Sequence, residues 1–184
     1  MGLGTGYLIY GTQELFAYPN RNASVDLGTG IWGIWMPGFM QFFTGVYLFA
    51  GLTLFDTFTK SPPLYMAALA FTAYGVHWLA LGWTRMSGTD VRIQVGMSVG
   101  FITISALGAV VFFIANDWAV GLLFVGLFCI YVCELGASFG PDRPRAGVLS
   151  LQGLGFFHLL VGFWLMYLMW AVTLDFIFGY SIPK

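Results

Sequence analysis

Charge is what this sequence has least of. Lys and Arg number 7 and Asp and Glu 8 in 184 residues, a charged fraction of 8% with a net charge of −1. Soluble domains carry about a quarter of their residues as charges. This chain lacks the polar surface that would keep it in water, which excludes a soluble enzyme or binding module. It also has no basic cluster, which excludes nucleic acid as a partner. Cysteine is scarce: Cys129 and Cys133 stand one helical turn apart in an apolar run. Two thiols without nearby His make no metal centre, and a disulfide between them would strain a helix, so they read as free thiols. No nucleophile–base pair, phosphate-cradling loop, Cys-x-x-Cys or Glu-x-x-His is present. The sequence therefore points to no catalysis, no cofactor and no metal. Met1 leads into Gly-Leu-Gly-Thr-Gly, without the basic stretch that opens a signal peptide.

What fills the chain instead is apolar and aromatic: 59% hydrophobic, 19% aromatic, mean hydropathy +0.83. This is the composition of an all-α multi-pass membrane protein, whose first partner is the lipid bilayer and whose expected location is the cell (inner or plasma) membrane. Breaks in hydropathy divide it into six expected transmembrane helices within one domain, 1–184. Gly4 to Tyr18 is short, interrupted by Gln13 and Glu14 and ended by Pro19. Leu27 to Phe55 follows, with an expected kink at Pro37-Gly38. After a loop closed by Pro62-Pro63 come Leu64 to Thr84, Ile93 to Asn116, Trp118 to about Gly136, and Ala146 to Leu174. Asp117 marks a tight turn, and Gly140 to Arg145 (Gly-Pro-Asp-Arg-Pro-Arg) marks another. The last span exceeds what a bilayer needs and should tilt or project. Gly96-x-x-x-Gly100 has the small-xxx-small spacing of close helix packing within a protomer. Arg21, Arg85, Arg92, Arg143 and Arg145 fall on one side and Lys60 and Lys184 on the other. The positive-inside rule then places both termini outside the cytoplasm, an assignment that inverts if the first helix does not cross.

Hydrocarbon offers no partner to a polar group, so each one inside a span requires explanation. In the first span Tyr7, Tyr10, Gly11 and Glu14 share a face by helical spacing. Glu14 sits either near the interface or beside water. Gln41 lies one turn before Gly45, where an amide ordinarily bonds a neighbouring helix. The third span is the richest: Ala70-Phe-Thr-Ala-Tyr-Gly-Val-His-Trp-Leu79 carries a hydroxyl, a phenol and an imidazole in an apolar run. Phe71, Tyr74, His77, Trp78 and Leu81 form one face. Leu127, Ile130, Tyr131 and Glu134 form another on the fifth span, and Gln152 and His158 mark the sixth. One or two polar groups per helix suit a weak, multi-site pore better than a metal or cofactor site.

Ala70-Phe71-Thr72-Ala73-Tyr74-Gly75 followed by Trp78-Leu79 resembles the Ala-Phe-Thr-Ser-Tyr-Gly…Trp-Leu segment of the acetate uptake transporter family, the succinate–acetate permeases. Gln41 with Thr44-Gly45, and the closing Tyr167-Leu168, Leu174-Asp175 and Phe178-Gly179, are similar to that family's second and last helices. The family's Asn-Pro-Ala-Pro-Leu-Gly opening is absent, and Val172 stands where it has a Glu. Asp117-Trp118 and Gln152-Gly153 resemble instead the hexameric urea and amide channels, whose tryptophan-rich fifth helix is missing here. Both resemblances imply a homo-oligomer, a hexamer of self-contained pores, with six helices around a central pore in each protomer.

The acetate-family resemblance implies a channel or proton-coupled symporter for acetate-like monocarboxylates, with a pore constriction at Tyr10, Tyr74 and Leu127. Gln41, Phe71, Thr72 and Gln152 are then the candidate solute contacts. An anion crossing an apolar ring without a fixed cation is expensive, so transport is expected as the neutral acid or with a proton. Glu14, His77 and Glu134 are the candidates to handle that proton. A urea or short-chain amide channel is the alternative, and an accessory subunit of a larger membrane complex is the second.

Overall fold

Local chemistry sets the helix boundaries in the computed structural model, which describes residues 1–140 and 144–180. All the regular structure of the described residues is helical, with no strand among them. Helix α1 (Gly2–Phe16) ends where Ala17 turns left-handed. Asn22 caps α2 (Ala23–Gly33), its side-chain oxygen accepting from the amides of Ser24 and Val25. These are two of the orphan donors of a helix start. The expected break at Pro37-Gly38 takes the form of a π turn, Ile34–Phe39, that joins α2 to α3 (Met40–Thr53). Proline lacks the amide an α-turn needs, and a widened turn accommodates its ring without ending the rod.

Helix α4 (Pro62–Ser87) begins on the two prolines expected to close the preceding loop. Proline is pre-set for a first helical turn, where no amide partner is needed. Gly88, at φ 66°, ends it. A 3-10 turn, Val91–Ile93, leads into α5 (Gln94–Ile114). Asp117 caps α6 (Trp118–Ser138) by accepting from the Val120 amide. Helix α7 runs Pro144–Phe178, so Pro144 and Arg145, expected in a turn, are helical. The remainder of that turn, residues 141–143, and Lys184 lie outside the described residues.

Four of these helices, in α4, α5, α6 and α7, are long and apolar enough to cross a membrane. Helix α1, with 15 residues, is about 22 Å long against a hydrocarbon core of about 30 Å. The α2–π–α3 rod is long but interrupted. Helix α7, with 35 residues, reaches about 52 Å, so it extends past its neighbours.

The rods form a closed ring. Around it, α1 packs on α7, α7 on α6, α6 on α5, α5 on α4, α4 on α2, the π turn and α3, and the π turn returns to α1. Backbone close approach makes two of these seams. A Cβ added at Gly75 would strike the Phe42 backbone, and one at Gly155 would lie 2.5 Å from the Leu15 amide nitrogen. Gly96 and Gly100, expected at such a seam, face open space. The middle of the ring is filled by Tyr7, Tyr10, Tyr74, Trp78, Phe101, Leu127, Ile130 and Tyr131, while the outer faces carry exposed Leu, Ile, Val, Phe and Trp. That inversion of the soluble pattern is what a lipid-facing surface looks like.

Candidate functional site

The C-terminal ends of α1, α4 and α6, the N-terminal end of α5 and the early part of α7 converge at one end of the ring. There they enclose a cavity of about 340 Å³, lined by Tyr7, Glu14, His77, Trp78, Arg85, Tyr131, Glu134 and His158 among others. Arg21 and Arg85 also line it, so this is the arginine-bearing end anticipated from loop charges.

The mouth is built on Glu14. The glycine seam between α1 and α7 brings its carboxylate to His158, with Nδ1 to Oε2 at 2.5 Å. Its other oxygen faces the Arg85 guanidinium at 3.5 Å. Arg85 also donates to the Gln13 amide oxygen and lies 3.6 Å from Asp26. Asp26 in turn takes both arms of Arg21, at 2.9 and 3.2 Å. The Arg85 guanidinium is 4.6 Å from the centre of the Tyr10 ring, a cation–π contact. The side chains of Arg85, Glu14 and His158 are only 9%, 6% and 6% exposed. A charge so buried is tolerated only when paired, and here the pairing runs through four elements.

The inner end is aromatic. Tyr7 stacks on His158 with centroids 4.8 Å apart and tilts against Trp78 at 5.5 Å. Beyond them Phe101, Tyr131 and Tyr74 form a stack, at 5.0 and 5.6 Å. The Tyr74 hydroxyl shares a hydrogen bond of 2.9 Å with Ser105. His77 lies against Phe101 and Tyr131. Its Nε2 is 3.7 Å from Glu134 Oε1, and its Nδ1 contacts the Met97 sulfur at 3.3 Å. Glu134 Oε2 and Trp78 Nε1 are buried without a hydrogen-bond partner. Buried polar groups are nearly always hydrogen-bonded, so water or a solute in the cavity is their available partner.

Of the residues singled out in the sequence, Glu14, His77 and Glu134 line the cavity together. Tyr74 and Leu127 belong to the central cluster beyond it. Tyr10 is also central, but its hydroxyl donates outward to the Thr29 carbonyl of α2 at 3.1 Å. The α1 phenol on the cavity side is Tyr7. Thr72 bonds its own helix at Ala68 and packs against Gly45 at the α3–α4 seam, while Phe71 is half-buried. Gln41 is buried, with Oε1 unpartnered, on the face that Gly38 and Gly45 turn toward α4. Gln152 is exposed on the outside of α7.

Two cavity residues received no role from sequence. Arg85 counts as a loop residue by hydropathy, although it continues the His77, Leu81 face at i+4 and i+8. His158 carries no local motif; only the α1–α7 seam supplies its partner. Among the described residues no three His, Cys, Asp or Glu side chains converge as a metal ion would require. Comparison with protein-family models, with curated proteins and with solved structures gave no match.

Proposed function

We propose that this chain is a six-span protein of the plasma or inner membrane that carries acetate-like monocarboxylates together with a proton through the centre of its helical ring. The observation that supports the reading best is the one-ended cavity, where two Glu–His pairs stand in front of an uncharged aromatic stack. A carboxylate meeting Tyr74, Phe101 and Tyr131 finds no fixed cation, so crossing as the neutral acid is the affordable route. The Glu–His pairs are the groups that accept and return the proton. Tyr74 and Leu127 narrow the path, Tyr7 takes the place first given to Tyr10, and the other pore contacts are Trp78 and Ser105. Homo-hexamer assembly follows from the family resemblance, and the apolar outer faces are compatible with neighbouring protomers as well as lipid.

The test is flux in proteoliposomes of purified protein, using labelled acetate, urea and acetamide, with and without an inward proton gradient. Acetate uptake should rise as external pH falls, and Tyr74→Ala should change its rate or selectivity. Urea flux indifferent to pH would instead establish the amide-channel alternative. Co-purification with stoichiometric partner chains and no flux would establish an accessory subunit.

A further inference from the structure

We propose that Arg85 is the docking residue for the solute carboxylate, masked at rest by Glu14 and unmasked when the Glu14–His158 pair takes up a proton. This rests on the monocarboxylate reading above. The argument starts from unequal distances. Glu14 is 2.5 Å from His158 but 3.5 Å from Arg85, and Arg85 is 3.6 Å from Asp26. Arg85 therefore lies in the cavity wall, buried, with the uncharged Gln13 amide oxygen as its nearest acceptor and two looser carboxylate neighbours rather than one bidentate one. Asp26 already has Arg21 on both oxygens, so Glu14 is the carboxylate that a solute would displace.

Charge counting gives the coupling. The titratable groups around the Glu14–His158 pair are Tyr7 and Tyr10 on α1, Arg21 and Asp26 before and on α2, His77 and Arg85 on α4, Tyr131 and Glu134 on α6, and His158 itself on α7. Glu134, buried with no cation beside it, counts as a neutral acid. With both histidines neutral, the two arginines are therefore balanced by Glu14 and Asp26, and no positive charge is left over to hold a carboxylate from solution. One proton on the Glu14–His158 pair makes an imidazolium at the shorter contact, or a neutral acid. Either way Arg85 is freed to bind an anion, and a proton plus a carboxylate enter with no net charge. The balance is one proton in and one carboxylate in, with no bond made or broken besides the N–H or O–H. Tyr7 and Trp78 then bound the apolar part of the solute, which suits a short alkyl chain.

Equilibrium binding of labelled acetate to the purified full-length protein, at about pH 5.5 and about pH 8, tests this. Wild type should bind at the lower pH and weaken roughly tenfold or more at the higher, a factor of ten being 1.4 kcal/mol. Glu14→Gln, which unmasks Arg85 permanently, should bind at both. Arg85→Gln should bind at neither. Because that variant strands two carboxylates and so puts the fold at risk, the double variant Glu14→Gln/Arg85→Gln, which removes both members of the pair, is the decisive control. If it binds acetate as well as Glu14→Gln alone does, Arg85 is not the docking residue and the proposal falls while the transport reading stands. If wild type binds acetamide or urea but acetate at neither pH, the transport reading itself fails and takes this proposal with it.

Discussion

Two Glu–His pairs share one cavity, yet they are held in different ways. Glu14 and His158 are drawn together at 2.5 Å by the α1–α7 glycine seam, with a guanidinium behind the carboxylate. Glu134 and His77 stand 3.7 Å apart, with a methionine sulfur and aromatic rings for company and one carboxylate oxygen unpartnered. The same two residue types thus give a pinned pair at the mouth and a slack pair at the inner end. What separates them is neither residue identity nor burial, since all four side chains are under a tenth exposed. It is backbone approach and the presence of a cation. A pinned pair can take up a proton without its two members parting; a slack one is free to change its partner as well.

The sharpest way to break this contrast is to remove the cation. Arg85→Met leaves Glu14 and Asp26 facing an empty place, and breaking a buried ion pair from one side costs about 3–5 kcal/mol. Thermal unfolding in detergent should show a correspondingly large loss, with much of it regained in the Glu14→Gln background. Next in size is the seam. Gly155→Val puts a branched side chain where a bare Cβ already lies 2.5 Å from the Leu15 amide nitrogen. Overpacking of this kind costs about 1–3 kcal/mol. It should also separate Glu14 from His158, giving flux whose pH dependence departs from wild type even in protein that remains folded.

The slack pair should behave in the opposite way. Glu134→Gln keeps the shape and replaces a carboxyl that has no cation beside it and is therefore held as the neutral acid, so its effect on unfolding should stay below about 1 kcal/mol. Its effect should appear instead in transport, as acetate uptake that responds less to external pH. If Glu134→Gln destabilises as much as Arg85→Met, the two pairs are not different in kind.

The smallest effect belongs to the surface. Asp90, exposed in the loop before α5, receives hydrogen bonds from the Arg92 side chain and backbone that hold its carboxyl down to about 2. A depressed carboxylate stabilises the fold above its unfolded value and loses that contribution only as pH falls toward 2. Asp90→Asn should therefore leave unfolding and flux unchanged between about pH 5 and pH 8, because solvent screens a pair so exposed. A measurable shift in that range would mean that the Asp90–Arg92 pair acts on the cavity, which its neighbours Gly88 and Thr89 line.

Much of the frame was legible in the residues. Scarce charge and long apolar runs point to a membrane protein, and four of the helices are long and apolar enough to cross a membrane. Breakers at Pro19, Pro37 and Asp117, and the loop before Pro62, place the helix limits within a few residues. Helical spacing places Glu14, His77 and Glu134 each on a polar or aromatic face of its own helix, since it fixes which side chains of one helix point together, and all three line one cavity. What spacing cannot fix is how those faces are turned toward other helices. Thr72 and Tyr74 are two residues apart, and one went to the α3 seam while the other went to the centre. Tyr7 and Tyr10 share a face, and only packing chose Tyr7 for the cavity and sent Tyr10 to Thr29.

By itself, then, the sequence determined that this chain is helical, with runs long and apolar enough to cross a membrane, and which polar side chains those runs carry. The tertiary structure decided which of them meet. Arg85 reads as a loop residue and His158 as an isolated imidazole until α1, α4 and α7 are brought side by side. Contacts such as Glu14 to His158, 144 positions apart, depend on backbones close enough for glycine alone, and that distance is set between helices rather than along one.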